Sequence, residues 1–175
     1  KYIFQPLGLN ATYHPERANA VDLPKAAGVW NGDTLLNIPE AMRSFGDLNS
    51  TVGDMIRFMR GLIRGEIFKN QDTGKAMSKR FHKFGFSLDP SPKAPTWPIA
   101  YGLGMAQIKI PKILTLFNPI PEVIGHTGIS GSWIFFCPKF DLIIAGTVNQ
   151  IAAAGLPYRF VPRILGDRDW QKAFV

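Results

Sequence analysis

The sequence predicts an α+β fold, in which an antiparallel meander is covered by helices. Three observations support this prediction. Apolar residues recur at helical spacing after Ser50, β-rich runs separated by turn residues fill positions 99–148, and Pro157 opens a last helical stretch. Helices and loops therefore come first, the strands second and a covering helix last.

We interpret residues 1–175 as one domain without internal repeats. Positions 1–98 are a helix and loop region, 99–148 carry the antiparallel strands, and 149–175 form a C-terminal helix and tail. Residues 1–49 show little periodicity and are predicted to form a short helix end followed by loops. The apolar fraction of 46% and charged fraction of 19% are typical of a globular protein and exclude a disordered chain.

The clearest predicted helix follows Ser50. Its apolar side chains share one face at helical spacing: Val52, Met55, Ile56, Met59, Leu62 and Ile63. Ser50 or Thr51 can cap the free N–H groups, and Asp54 lies in the first turn, where the helix dipole favours a negative charge. Gly65 is a natural end for this helix. A second, short helix is predicted at positions 72–79.

The β-rich runs lie at 101–110, 123–128, 133–136 and 142–148. The last three are predicted to pair as consecutive antiparallel strands. Pro138 and Asp141 mark the turn between the final two, since Pro restricts φ and Asp bonds its own backbone. The closing helix is predicted to begin at Pro157 and to end near Gly166.

No apolar stretch is long enough to cross a bilayer, because Pro111, Pro119 and Pro121 interrupt the most apolar segment, 108–125. We therefore predict no membrane span, and we find no signal peptide. The chain opens on Lys1 without an initiator Met, so we expect its N-terminus to lie inside a longer protein.

The formal net charge is +7, which is compatible with an anionic partner such as nucleic acid, a membrane surface or an acidic wall polymer. The alternative is a solvated surface whose acidic counterpart lies on a missing segment. We favour this alternative and predict no nucleic-acid partner, because no motif for reading bases or phosphates is present. The densest basic patch interleaves Lys75, Lys79, Arg80 and Lys83 with Phe81, Phe84 and Phe86.

Five short segments occur in one order and spacing along nearly the whole chain. They are Gln5-Pro6-Leu7-Gly8-Leu9 with Ala11-Thr12, Ser50-Thr51-Val52-Gly53-Asp54-Met55, Tyr101-Gly102-Leu103-Gly104, Gly125-His126-Thr127-Gly128, and Phe135 to Asn149. Together they resemble the C-terminal half of the serine β-lactamase and D-alanyl-D-alanine peptidase superfamily, closest to its class C β-lactamase and esterase-like branch. The resemblance implies the C-terminal portion of a β-lactamase/transpeptidase-like fold, and hence a single incomplete domain.

In that family three motifs meet at one cleft: a Ser-x-x-Lys helix start, a Tyr-x-Asn or Ser-x-Asn loop, and a Lys-Thr-Gly or His-Thr-Gly strand. The third is present as His126-Thr127-Gly128. No serine of this chain has Lys three residues later, and no tyrosine has Asn two residues later. In relatives both motifs lie upstream of the segment that matches Gln5-Pro6-Leu7-Gly8. We therefore expect a missing N-terminal segment to hold them, and this chain alone to be inactive.

The resemblance implies roles for five residues. His126 and the backbone N–H of Ile129 are the expected catalytic groups, with Ile129 as one donor to the oxyanion and the absent serine as the other. Gly128 would let substrate lie against the strand. Thr127 would offer its hydroxyl to a substrate carboxylate, unless strand alternation turns it away. Tyr101 is expected to contact substrate as part of the cleft wall.

His126 stands where many relatives hold a lysine. With an ordinary pKa of about 6.5, His is only partly charged near neutrality, so it anchors a carboxylate less permanently. It can still hydrogen-bond the catalytic tyrosine or the substrate. This difference favours a peptidase, amidase or esterase over an efficient β-lactamase.

Other candidate groups have simpler interpretations. Ser130-Gly131-Ser132 is predicted to form a turn, because no general base is placed beside it. The single Cys137 excludes an internal disulfide and is predicted to be a half-buried apolar residue. His14, His82 and His126 show no ligand spacing, so no metal and no other cofactor is expected.

Three hypotheses follow. The first is an acyl-enzyme hydrolase acting on a peptide or β-lactam-like small molecule outside the cytoplasm, completed by the missing segment, a companion chain or self-association. Such a partner would cover the apolar strand edge at 142–148. The second is a non-catalytic module that binds peptidoglycan-like peptides. The third is a basic interaction protein that uses the Lys75–Lys83 patch.

Overall fold

The structure is a computed structural model, and it describes residues 2–14, 26–36, 48–85, 97–115, 119–167, 169 and 172. Its main element is a six-stranded antiparallel sheet in which each strand pairs with the next one along the chain. The strands are β3 (His82–Gly85), β4 (Ile99–Tyr101), β5 (Ala106–Ile108), β6 (Val123–Thr127), β7 (Ser132–Cys137) and β8 (Leu142–Thr147). The predicted α+β meander is therefore confirmed.

The predicted helices are also present. Helix α1 is Val52–Arg64, α2 is Gln71–Lys79 and α3 is Pro157–Gly166. Thr51 caps α1 by accepting a 3.3 Å hydrogen bond from the Asp54 N–H. Gly65 ends α1 in the left-handed conformation, with φ of 77°. These boundaries follow from local chemistry, which explains why sequence alone could predict them.

Both faces of the sheet are buried. One face packs on α3 through a core cluster that includes Ile108, Ile110, Val123, Phe135, Cys137, Val161 and Leu165. The other packs on α1 through Met59, Leu62, Met105, Ile124, Phe136 and Ile143. Alternate residues of β7 serve the two cores, so this strand is a continuous apolar run rather than an alternating one.

A closed polar cluster fixes the start of α1 to the N-terminal part of the chain. Asp54 is only 2% exposed, and its carboxylate accepts hydrogen bonds from the Ala11 N–H at 2.8 Å and the Thr12 hydroxyl at 2.9 Å. Arg57 forms an ion pair with the other carboxylate oxygen at 2.8 Å. Since a buried carboxylate requires partners, these bonds define how residues 11–12 sit on the helix.

Three expectations were wrong in detail. Residues 101–110 are not one strand, because a turn at 102–105 separates β4 from β5, with Gly104 at a φ of 78°. The first 49 residues contain a hairpin, β1 (Val29–Asn31) and β2 (Thr34–Leu36), where loops were predicted. The sheet also begins earlier than expected, at β3.

Candidate functional site

The turn between β6 and β7 carries the residues after the His-Thr-Gly segment. The Gly128 N–H donates to Ser132 O at 2.7 Å, and the Gly131 N–H donates to Gly128 O at 3.0 Å. Gly131 has a φ of 82°. This is the pattern of a three-residue hairpin loop that ends in a left-handed glycine. Ser130 and Gly131 therefore lie in a turn, as predicted, whereas Ser132 is the first residue of β7 rather than part of the turn.

Gly131 connects this turn to the end of β8 by a backbone hydrogen bond. The Val148 N–H donates to Gly131 O at 2.9 Å. A Cβ added at Gly131 would lie 2.5 Å from a methyl of Val148 and 3.2 Å from the backbone of Gln150. The turn is therefore held rigidly by close backbone packing, which is the property expected of a preorganised site.

Gly128 lies in an open position, unlike Gly131. A Cβ built on Gly128 would meet its nearest neighbour, Ser132 O, at 3.7 Å, an ordinary contact. The described neighbours therefore do not require glycine here. The next residue, Ile129, has a side chain that is 59% exposed. Within the described ranges, no acceptor takes a hydrogen bond from the Ile129 N–H.

The end of β6 also has an open backbone edge. Strand β5 pairs only with positions 123–125, the last pair being Ala106 with Gly125. On its other side β6 remains paired with β7 as far as Thr127 and Trp133. Among the described residues, His126 and Thr127 thus extend beyond β5 with one edge unpaired. An extended ligand can add to such an edge by main-chain hydrogen bonds.

Tyr101 and His126 meet beside this edge. Their rings make an edge-to-face contact with centroids 5.5 Å apart, and the Tyr101 hydroxyl hydrogen-bonds to His126 Nε2. The other ring nitrogen, Nδ1, lies 2.5 Å from Thr127 O. Because a carbonyl only accepts, we assign the proton of neutral His126 to Nδ1 and make Nε2 the acceptor from Tyr101.

The electrostatics agree with this assignment. Burial raises the pKa of Tyr101, and the nearby Tyr158 adds to the shift. The phenol therefore stays protonated through neutral pH and can donate to His126. In this state both nitrogens of His126 are occupied by groups of the protein itself.

The five residues predicted for the site lie together at one end of the sheet. Tyr101 ends β4, His126 and Thr127 end β6, and Gly128 and Ile129 open the following turn. Strand alternation directs Thr127 and His126 to opposite faces, so they do not point to the same ligand group. Thr127 is half-buried, whereas His126 is exposed.

Cys137 does not form a dyad with His126. It ends β7 in the α3-side core, fully buried instead of half-buried as predicted. Burial raises the pKa of its thiol, although backbone hydrogen bonds from Phe140 and Lys139 act in the opposite direction. Such a thiol is a core group rather than a nucleophile.

Sequence reasoning missed the hairpin that lies next to the turn. Gln150 brackets Gly32, accepting from its N–H at 2.8 Å and donating to its carbonyl at 3.0 Å. Asn149 donates to Gly28 O at 2.6 Å. The available signal was Gly32-Asp33, a two-residue hairpin turn between short β-rich segments, with Gly32 at a φ of 62°.

Across the part of the chain that the structure describes, no group of three His, Cys, Asp or Glu side chains could hold a metal ion. A shallow groove beside α1 is lined by Pro6, Leu7, Ile56, Arg57, Arg60 and Glu66. Its arginines already bind carboxylates, Arg57 that of Asp54 and Arg60 that of Asp141.

Comparison with known protein families gives a match that spans most of the chain. The sequence model of the family described as beta-lactamase matches residues 1–158, which includes every residue of the site. A search of curated proteins found no match to the chain.

Proposed function

This chain belongs to the beta-lactamase family, and we propose that it supplies the substrate-binding strand and one oxyanion donor of a serine hydrolase that works through an acyl-enzyme. The family accounts for the α+β fold and for a serine-hydrolase type of chemistry. The particular reaction, the substrate and the missing groups are our proposal.

One observation carries the proposal: the Ile129 N–H lacks an acceptor among the described residues and stands next to an open Gly128. Attack on a carbonyl places negative charge on its oxygen, and a preorganised backbone donor stabilises that charge. The edge of β6 at His126 and Thr127, which extends beyond β5, gives an extended substrate a place to lie. A glycine that the fold does not require makes sense if substrate approaches there.

The bonding of His126 bears on the substrate class. Both ring nitrogens of His126 are bonded to groups of the protein, Tyr101 and the Thr127 carbonyl, so neither is left to bind a substrate carboxylate. We propose that the substrate is a peptide, amide or ester, with D-alanyl-D-alanine-type peptides as the first class to test, ahead of β-lactams. We also propose that the enzyme works outside the cytoplasm, at the cell envelope.

The nucleophile must come from elsewhere, because the sequence contains neither Ser-x-x-Lys nor Tyr-x-Asn. We propose that an additional segment or a companion chain supplies both motifs. The outer edge of β8 is the expected contact, since β8 pairs only with β7 among the described strands. Without that partner the chain should self-associate through this edge, and a monomer at high concentration would argue against this part of the proposal.

The direct test is the intact mass of the chain after incubation with a reactive penicillin and with an activated ester. We expect no adduct on the 175-residue chain alone. When it is co-purified with a segment that carries the two missing motifs, we expect an acyl adduct on the serine of that segment. An adduct on this chain alone would identify an unrecognised nucleophile and overturn the assignment.

Ile129 offers a matched pair of variants for the completed enzyme. Ile129→Pro removes the N–H, and because Pro suits the second position of such a turn, the fold should be retained. Ile129→Ala keeps the N–H. We expect the Pro variant to lose about a hundredfold or more in acylation rate while the Ala variant stays near wild type. Equal rates for the two variants would remove Ile129 from the oxyanion site.

A second candidate is a non-catalytic module that binds peptidoglycan-like peptides. The absence of the nucleophile motif from the sequence favours it. Such a module would use the same open edge of β6. The two candidates therefore share a binding site and differ in whether the bound ligand is converted to an acyl-enzyme. A module would bind D-alanyl-D-alanine peptides without any adduct, even in the presence of the proposed segment.

A further inference from the structure

An exposed apolar turn lies between β5 and β6. We call it the lysine-flanked turn and define it as Lys109, Lys112, Ile113 and Leu114. Ile113 is 69% exposed and Leu114 is 56% exposed. Both lysine side chains are exposed as well. Large aliphatic side chains in water carry a free-energy cost that burial elsewhere would relieve.

The turn is ordered by its own hydrogen bonds. Residues Lys112–Thr115 form one turn of 3-10 helix, in which the Leu114 N–H donates to Pro111 O at 2.9 Å and the Thr115 hydroxyl donates to Lys112 O at 3.0 Å. The preceding Ile110 is buried. The fold therefore buries one isoleucine of this segment and projects the next one outward.

The lysine-flanked turn lies at the end of β5 opposite to the candidate site. β5 begins at Ala106, next to Gly125 and the site, and ends at Ile108, from which the chain enters the turn. Two more exposed residues occur at this end on α3, Arg163 and Ile164. Arg163 lies over Trp97, which precedes β4. A surface used at this end leaves the candidate site accessible.

The charged groups described at this end are three cations, Lys109, Lys112 and Arg163, and two carboxylates, those of Glu122 and Asp167. Lys109 is 3.5 Å from Glu122, and Asp167 follows α3. Lys112 has no ion pair within the described residues. With a formal charge of +7 on the whole chain, the lysine-flanked turn combines aliphatic tips with flanking cations. Within the lysine-flanked turn, residues 109–115 as the structure describes it, there is no aromatic ring to stack on bases, so we favour a lipid surface over a nucleic acid.

We propose that the lysine-flanked turn docks the protein on an anionic lipid surface. Ile113 and Leu114 would enter the boundary between headgroups and acyl chains, and Lys109 and Lys112 would pair with anionic headgroups. No helix among the described residues is long and apolar enough to cross a bilayer. The proposed contact is accordingly a shallow one, made by a turn.

Vesicle co-sedimentation of the full chain tests the proposal. We expect binding to vesicles of equal parts phosphatidylglycerol and phosphatidylcholine and little binding to phosphatidylcholine alone. The double variant Ile113→Ser/Leu114→Ser should bind at least about tenfold more weakly. Lys112→Gln should weaken binding about fivefold. The matched controls are Leu103→Ser, at an equally exposed leucine near the site, and Lys69→Gln.

Three outcomes would overturn the proposal. These are equal binding to neutral vesicles, equal loss in the control variants, and self-association that the double variant abolishes in the absence of lipid. The last result would assign the turn to an interface between copies of the chain. The assay requires no catalysis, so the failure of this proposal and that of the proposed function are distinguishable.

A site-specific label keeps the test decisive if the double variant folds poorly. Cys137 is buried and is the single cysteine of the chain, so a cysteine introduced as Ile113→Cys is the accessible thiol for an environment-sensitive dye. We expect the emission of the dye to shift to the blue on phosphatidylglycerol vesicles. The same dye at Leu103→Cys should not respond. A response at 103 and none at 113 would contradict the proposal.

Discussion

The start of α1 and the turn after β6 contrast in how their polar groups are used. The Asp54 carboxylate accepts hydrogen bonds from three donors: the Ala11 N–H, the Thr12 hydroxyl and the Arg57 guanidinium. At Ile129 the backbone donor has no acceptor within the described residues. The first region is closed and buried, whereas the second is rigid but open.

This difference separates stability from function. A buried charge left without partners is costly, so a closed cluster is expected wherever the fold alone sets the requirement. An open donor on a rigid turn contributes nothing to folding that water would not supply. Its rigidity, set by Gly131 and Val148, is useful when a ligand must be met in one geometry.

The largest expected effect is at the closed region. Asp54→Ala should lower the free energy of unfolding by about 3 kcal/mol, because three donors lose a buried charged acceptor. Chemical denaturation measures this change. The matched control is Asp72→Ala, which removes an exposed first-turn aspartate of α2 and its contact with Lys75, for a loss of about 0.5 kcal/mol. Similar losses at both positions would refute the contrast.

Substitutions at two glycines of the open region should affect different properties, Gly131 the stability of the fold and Gly128 the binding of substrate. Gly131→Ala should cost about 2 kcal/mol, because of its positive φ and its approach to Val148. Gly128→Ala should change stability by less than about 0.5 kcal/mol, since space is available there. In the completed enzyme, however, it should weaken substrate binding. A Gly128 variant that unfolds easily and binds normally would reverse this interpretation.

Local chemistry determined which parts of the fold could be predicted. The cap at Thr51, the stop at Gly65 and the start at Pro157 each depend on neighbouring residues, so α1 and α3 were predicted correctly. Strands β4 and β5 have three residues each and exist only because they pair with each other and with distant partners. One continuous run was therefore predicted at 101–110.

The site shows the same division. The His-Thr-Gly segment was visible by resemblance, but the contact between Tyr101 and His126 joins residues 25 apart across three strands. No spacing rule predicts such a pair. The contacts between Gln150 and Gly32 span 118 residues, and no spacing rule predicts them either, whereas the hairpin itself had a local signal at Gly32-Asp33 that was overlooked.

The Tyr101–His126 pair is intermediate between the closed and open regions, and its hydroxyl is expected to have a small effect on stability. Tyr101→Phe removes the hydroxyl but keeps the ring, so stability near neutral pH should fall by less than about 1 kcal/mol. Because the pKa of Tyr101 is raised in the folded state, its contribution is complete below the ordinary tyrosine pKa of about 10 and is lost as pH rises through the folded value.

Unfolding of the wild type and of Tyr101→Phe should therefore differ below about pH 10 and converge above it. Tyr2→Phe, at an exposed ring, should follow the wild type throughout. Tyr101→Phe should also leave His126 Nε2 without its hydrogen-bond partner, so the ring resonances of His126 in NMR spectra should shift in Tyr101→Phe and not in Tyr2→Phe. Unchanged resonances would mean that the hydroxyl does not hold this ring, and His126 would then belong with Ile129 among the groups left open for a ligand.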